Sequence, residues 1–199
     1  MKKMKTVFVI NRDEHTATNE IMPTSAWILT EGVATVKFDG TSSMIKDGKL
    51  FKRYDVKAGR EVPANSIPCE DKPDAVTGHW PHWVPVNADE PADRWHIEAF
   101  EFMTAKAPLV DGTYELVGPK VQGNIYNLPR HVLVKHGALE TEVERTREGF
   151  IRWMNENAHE GIVFHHPDER MAKVRRKDFS KDEVARVKAF DGSFLMTLI

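Results

Sequence analysis

Cysteine is almost missing from this chain. Cys69 is its one thiol, which excludes an internal disulfide and agrees with a reducing compartment. No apolar run approaches the roughly 20 residues that span a bilayer. The short apolar stretch at 6–10, behind a basic start at 1–5, is too brief for a secretory leader and reads as a first strand, so a soluble, cytoplasmic protein is expected. Neither charge sign dominates: 28 lysines and arginines stand against 30 aspartates and glutamates, for a net charge of −2. A protein that coats nucleic acid through an overall basic field is therefore not expected, whereas an enzyme acting on nucleic-acid ends needs only a local basic strip. The nine histidines include no H-E-x-x-H spacing, and His79-x-x-His82 and His165-His166 have no cysteine partners, which argues against zinc. Internal repeats and low-complexity tracts are also absent.

What is present suggests strands with helices between them. Residues 5–10 and 26–36 are strand candidates by β-branched and apolar content, and 45–54 reads as the return arm of a hairpin through Asp47-Gly48. Residues 57–94 are proline-rich and irregular, with Trp80 and Trp83 as packing anchors or a base-stacking platform. A helix is expected at 91–103, strands at 113–117 and 132–134, and a longer helix at 142–157 opened by a capping box of Thr141 and Glu144. Residues 161–164 and 171–175 read as a strand pair around Pro167-Asp168. A second capping box, Ser180 with Glu183, predicts a last helix through Val184, Val187 and Phe190. This pattern predicts an α+β fold of twisted antiparallel sheets with inserted helices, in one domain of 199 residues.

Lys37-Phe38-Asp39-Gly40 is the stretch with most chemical content. It ends the apolar run 32–36, and period-2 alternation puts Lys37 and Asp39 on one face. A free lysine titrates near pH 10.4, so as a nucleophile it must first lose its proton, a loss that burial and neighbouring cations favour. On its own the tetrapeptide also fits a hairpin turn at Asp39-Gly40. Further motifs follow in order: Tyr114-Glu115-Leu116-Val117-Gly118-Pro119, then Gln122-Gly123-Asn124, then Glu160-Gly161-Ile162-Val163-Phe164, then Lys173-Val174-Arg175-Arg176-Lys177.

This ordered series resembles the covalent nucleotidyltransferases, which comprise ATP-dependent DNA ligases, RNA ligases and mRNA capping enzymes. Gly118-Pro119-x-x-Gln122-Gly123-Asn124 looks more like the RNA ligase branch. Thr77-Gly78-His79-Trp80-Pro81-His82-Trp83 is similar to the small 5′–3′ RNA ligases of vertebrates and phages. The resemblance covers about residues 30–180. It implies a nucleotidyltransferase (ATP-grasp-like ligase) core, here a single minimal adenylyltransferase domain over 1–199. About 22 residues follow the last motif, too few for an OB-fold, so none is expected.

The resemblance also implies the chemistry. Lys37 would attack the α-phosphate of ATP, AMP would pass to an RNA 5′-phosphate, and a 3′-hydroxyl would displace it, with Mg²⁺ or Mn²⁺ as cofactor and RNA ends as partners. Asp39, Gly40 and Arg53 would line the nucleotide, Glu115 would hold the ribose hydroxyls as a two-oxygen acceptor, and Glu160 would serve Mg²⁺. Lys173 would reach the α-phosphate. The family's second lysine of K-x-K is Arg175 here, which leaves open which of Arg175, Arg176 and Lys177 enters the site. Gln122 and Asn124, with Arg176 and Lys177, are candidates for RNA contact, although the two amides could equally tie their own loop. Tyr126, His131 and His136 are all candidates to stack on adenine. The competing readings are a DNA ligase or capping-type core and a non-catalytic nucleotide- or RNA-binding module.

Overall fold

The computed structural model describes residues 4–186 and 191–197. In chain order its strands are β1 (Lys5–Thr6), β2 (Phe8–Ile10), β3 (Ala17–Ile21), β4 (Val33–Lys37), β5 (Thr41–Lys46), β6 (Lys49–Val56), β7 (Ile67–Pro68), β8 (Trp80–Pro85), β9 (Gly112–Val117), β10 (Val132–Lys135), β11 (Gly161–His165) and β12 (Met171–Arg175). Two α-helices accompany them, α1 (Arg94–Thr104) and α2 (Arg147–Glu156). The class is α+β. No helix among the described residues is long and apolar enough to cross a membrane.

The chain divides into two compact units, one of Met4–Asp39 with Gly137–Phe190, the other mainly Gly40–His136. In the first, β1, β12, β11 and β4 form a four-stranded sheet in that order, and β2 and β3 form a separate pair. One sheet face presents Ala34, Val36, Ile162, Phe164, Ala172 and Val174, all buried. Behind them Phe150 of α2 meets Phe8 edge-to-face at 5.9 Å and Phe164 at 5.8 Å, arrangements that add to burial of the rings.

In the second unit the strand order is β10-β9-β5-β6-β8-β7, all antiparallel. Asp47 and Gly48 both take positive φ, 51° and 70°, the backbone a two-residue hairpin demands. That hairpin was legible from the sequence. Trp80 and Trp83 lie on β8 rather than in an irregular loop. Trp83 is buried with Phe51 and Cys69, and the Trp80 indole N–H donates to the Glu70 carbonyl at 2.8 Å, so packing is what this structure assigns to the pair.

Three expectations need correction. Residues 23–29 form a 3-10 helix, not the start of a strand, because Pro23 suits a first helical position and the buried Ser25 hydroxyl donates to the Thr6 carbonyl at 2.8 Å. Helix α2 begins at Arg147, capped by Thr146, whose hydroxyl accepts from Gly149 N–H at 3.0 Å. Residues 139–141 instead run along the edge of β4: Val36 N–H donates to Leu139 at 2.8 Å and Thr141 N–H to Ala34 at 2.9 Å. The Thr141 hydroxyl accepts from the Trp153 indole at 2.9 Å, and residues 142–146 are not helical. Ser180 and Glu183 do exchange hydrogen bonds, yet they close a turn and not a helix by Val184. Val187 and Phe190 lie outside the described residues.

Candidate functional site

Lys37 ends β4 in one sheet and Thr41 opens β5 in another, so Asp39-Gly40 is not the turn of a hairpin. Register then decides which side chains meet. Gly161 on the central strand β11 lies opposite both Lys37 of β4 and Arg175 of β12, and Val163 lies opposite both Thr35 and Lys173. Directly paired residues, and residues two apart, share a face. Lys37, Arg175 and Lys173 therefore project from the same face, grouped around a position with no side chain. A Cβ on Gly161 would fall on the Val174 carbonyl and lie 2.8 Å from Arg175 Cα, so the close approach of β12 demands glycine there.

Three contacts organise this cationic face. Glu160, just before β11, forms an ion pair with the Lys37 ammonium, both side chains half-buried. Arg175 is gripped by Asp178, with Nη2 donating to Oδ1 at 2.7 Å and Nε at 3.1 Å, while Arg175 N–H donates to Oδ2 at 2.8 Å. Asp178 is 4% exposed, which makes this a desolvated, two-pronged pair. Burial, then the positive charges of Arg175 and Lys37, push the Lys173 ammonium down to about 8, against a smaller opposing pull from Glu160 and Asp178.

The remaining basic residues divide. Strand β12 ends at Arg175, and Arg176–Asp178 is a 3-10 turn, so Lys177 does not continue the face and is exposed. The Arg176 guanidinium turns inward, donating to the carbonyls of Met154, Asn157, His159 and Ala185, where it closes the end of α2. Asp39 is half-buried in the same unit.

The other unit holds Gly40, Arg53, Glu115, Gln122 and Asn124. Glu115, on β9, is 7% exposed and its Oε2 lies 2.8 Å from His136 Nε2. A Cβ on Gly40 would lie 2.8 Å from Glu115 Cγ and fall on the Leu116 carbonyl. The glycine of K-x-D-G is thus required by the strand that carries Glu115. Arg53 lies over the Trp83 ring at 5.8 Å. Gln122 is exposed, whereas Asn124 closes its own loop, accepting from Leu128 N–H at 2.9 Å and donating to Leu128 C=O at 3.0 Å. Of the adenine-stacking candidates, Tyr126 and His131 are buried, with His131 stacked on Trp95 at 4.6 Å.

The family model described as RNA ligase 1 matches residues 103–182. RNA ligase 1 of Danio rerio is 32% identical over 162 residues, 66% of this chain and 49% of its own length. That of Pongo abelii is 29% identical over 147 residues, 58% of this chain and 43% of its own length. The chain resembles the RNA ligase 1 family. It spans about half the length of these relatives. The stretch matched by the RNA ligase 1 model contains Glu115, Glu160, Lys173 and Arg175, while Lys37 and Arg53 lie ahead of it.

Two contributors escaped the sequence reading. Asp178 sits three residues past Arg175, a spacing that means nothing until the strand ends at Arg175 and the turn folds back. His136 is legible in the sequence only as a ring that could stack on a base, and its contact with Glu115 arises from the pairing of β9 with β10.

Proposed function

We propose that this chain is an ATP-dependent RNA ligase with a nucleotidyltransferase core, using Lys37 as its nucleophile. The observation that carries the reading is the shared face of Lys37, Lys173 and Arg175 around Gly161, with Glu160 on Lys37. Three cations around a bare glycine suit a polyanion, since nothing projects from the middle of the row to hold phosphate oxygens away. Likeness to proteins named RNA ligase 1 supplies the substrate class.

In the proposed sequence the Lys37 nitrogen bonds to the α-phosphorus of ATP, and the bond from that phosphorus to pyrophosphate breaks. An oxygen of an RNA 5′-phosphate then takes the AMP, breaking the nitrogen–phosphorus bond. Finally a 3′-hydroxyl oxygen attacks the 5′-phosphorus and AMP leaves. Each step is a displacement at phosphorus, so positioning and charge neutralisation do most of the work. Lys37 must part from Glu160 and shed its proton before its lone pair can attack. Lys173 and Arg175 stabilise charge on the phosphate oxygens.

Among the described residues no group of three or more histidine, cysteine, aspartate or glutamate side chains could hold a metal ion by itself. One carboxylate beside a phosphate site nevertheless suits Mg²⁺, which keeps several waters and binds through one or two carboxylates plus substrate phosphates. Glu160, beside Lys37, is the carboxylate we assign to it. Bound there, the ion would offset negative charge on the triphosphate.

The test is incubation with α-labelled ATP followed by a denaturing gel. Label retained on the protein, lost in Lys37→Ala, is the expected result; label persisting in that variant would remove Lys37 as nucleophile. Glu160→Ala should depress labelling most at limiting Mg²⁺. Nicked duplexes, tRNA-like breaks and single-stranded ends, compared as substrates, then separate RNA joining from other transfers of AMP.

A further inference from the structure

The reaction just proposed gives His136 no task, yet this side chain links two residues of the strand that carries Glu115. Its Nδ1 lies 2.9 Å from the Thr113 hydroxyl and its Nε2 lies 2.8 Å from Glu115 Oε2. Thr113 and Glu115 are two apart on β9 and so emerge on one face. The imidazole bridges them from just beyond β10, where the His136 backbone N–H donates to the Thr113 carbonyl at 3.0 Å. Neutral imidazole donates from Nε2 to the carboxylate and accepts the Thr113 hydroxyl at Nδ1. Imidazolium donates from both nitrogens. Either form keeps the bond to Oε2.

Two neighbours give this chain of hydrogen bonds a direction. Ser42 lies directly opposite Glu115 across β5 and β9, and its hydroxyl oxygen is buried with no hydrogen-bond partner among the described residues. A buried hydroxyl without a partner calls for an explanation, and a ligand group is one. Gly40, two residues before Ser42, lets the chain pack directly against Glu115, since a Cβ there would lie 2.8 Å from Glu115 Cγ. One carboxylate oxygen is held by His136 and the other is left to accept.

We propose that His136 is the positioning residue of a diol-binding subsite. It holds Glu115 Oε2 so that the second carboxylate oxygen, together with the Ser42 hydroxyl, takes the 2′- and 3′-hydroxyls of a nucleotide ribose. The proposal rests on reading the chain as an ATP-using ligase. It adds how Glu115 is aimed and which residues enforce ribose over deoxyribose. A site built to hydrogen-bond a substrate hydroxyl disfavours the analogue lacking it, because its own polar groups are left unpaired.

The experiment compares α-labelled ATP with its 2′-deoxy analogue in self-labelling, measuring KM and kcat for the unaltered protein, His136→Ala, His136→Gln and Thr113→Val. The unaltered protein should prefer ATP by about tenfold or more, mainly in KM. In His136→Ala that ratio should fall to within about threefold, and His136→Gln, whose amide can still donate to Oε2, should recover part of it. Thr113→Val, close in shape, should lower the ratio without removing it, and it stands in for His136→Ala if that variant does not fold. Equal use of both nucleotides by the unaltered protein, or an unchanged ratio in both His136→Ala and Thr113→Val, would overturn the assignment. Absence of labelling with either nucleotide overturns the ligase reading instead. The subsite is then decided by calorimetric binding of the same two nucleotides, where equal affinities count against it.

Discussion

Asp178 holds Arg175 through a fork of hydrogen bonds, 2.7 Å from Nη2 and 3.1 Å from Nε to the same carboxylate oxygen. The pair places a rigid guanidinium where the resembling family has a lysine. A lysine would carry the charge as a mobile point, whereas here its position is set by a buried carboxylate.

Asp178→Asn should therefore weaken ATP binding by about tenfold, since a neutral amide oxygen grips the guanidinium less strongly than a carboxylate and the amide nitrogen cannot accept from the Arg175 backbone N–H. The same change removes a negative charge that raises the Lys173 ammonium's affinity for its proton. Calorimetric titration with ATP at several pH values checks both effects. Unchanged affinity would mean that Arg175 does not touch the nucleotide.

Lys173 titrates at about 8 in the folded chain instead of 10.5. Between those values the unfolded chain binds the additional proton, so ν_U exceeds ν_N and this group makes stability rise with pH across that window. Its destabilising contribution is fully present below about 8 and is relieved towards 10.5. Nucleotide affinity runs the other way, because a neutral amine does not attract phosphate. ATP binding should decline as pH passes about 8. Lys173→Arg should flatten that decline, as arginine keeps its charge throughout. A pH-independent affinity in the unaltered protein would count against Lys173 as a phosphate contact.

Gly161→Ala should cost about 1–3 kcal/mol or more, because the added methyl meets backbone, which moves less easily than a side chain. The clash is with the Val174 carbonyl and with Arg175 Cα at 2.8 Å. Urea unfolding reads the loss. Relief of the clash would displace β12 and with it Lys173 and Arg175, so labelling by ATP should fall even under conditions where the variant remains folded.

Arg176→Ala should act on the fold. Its guanidinium donates to four carbonyls at the end of α2 and beyond, three of these bonds half-buried and the one to Ala185 exposed, and losing them together should cost about 1–3 kcal/mol. A lowered urea midpoint is expected. Unaltered stability together with weaker RNA binding would instead make Arg176 a surface contact.

How much of this was legible beforehand varies with range. The hairpin at Asp47-Gly48 and the strand pair 161–165 with 171–175 were readable because turn residues and alternation are local signals. The helix expected at 142 was not, since Thr141 and Glu144 make an acceptable cap locally. What overrides it is remote: the edge of β4 takes the backbone of 139–141, and Trp153 takes the Thr141 hydroxyl. Alternation in the sequence favours Lys173 and Arg175 on one face, with Lys177 continuing it if the strand persists. Only the end of the strand at Arg175 decides the rest, sending Arg176 towards the carbonyls of α2 and Arg175 to Asp178.

By itself the sequence determined the types and order of the candidate groups, Lys37, Glu115, Glu160 and Lys173, together with the α+β class, because composition and short-range pattern carry that information. Tertiary structure decided which of them share a surface. Lys37 and Arg175 are 138 positions apart in the chain, and they become neighbours across Gly161 only through the register of β4, β11 and β12. A shift of one residue would turn those side chains to the opposite face of the sheet. That register is held by the burial of Ala34, Val36, Ile162, Phe164, Ala172 and Val174 on the other side, so the packing of the core sets the chemistry of the surface.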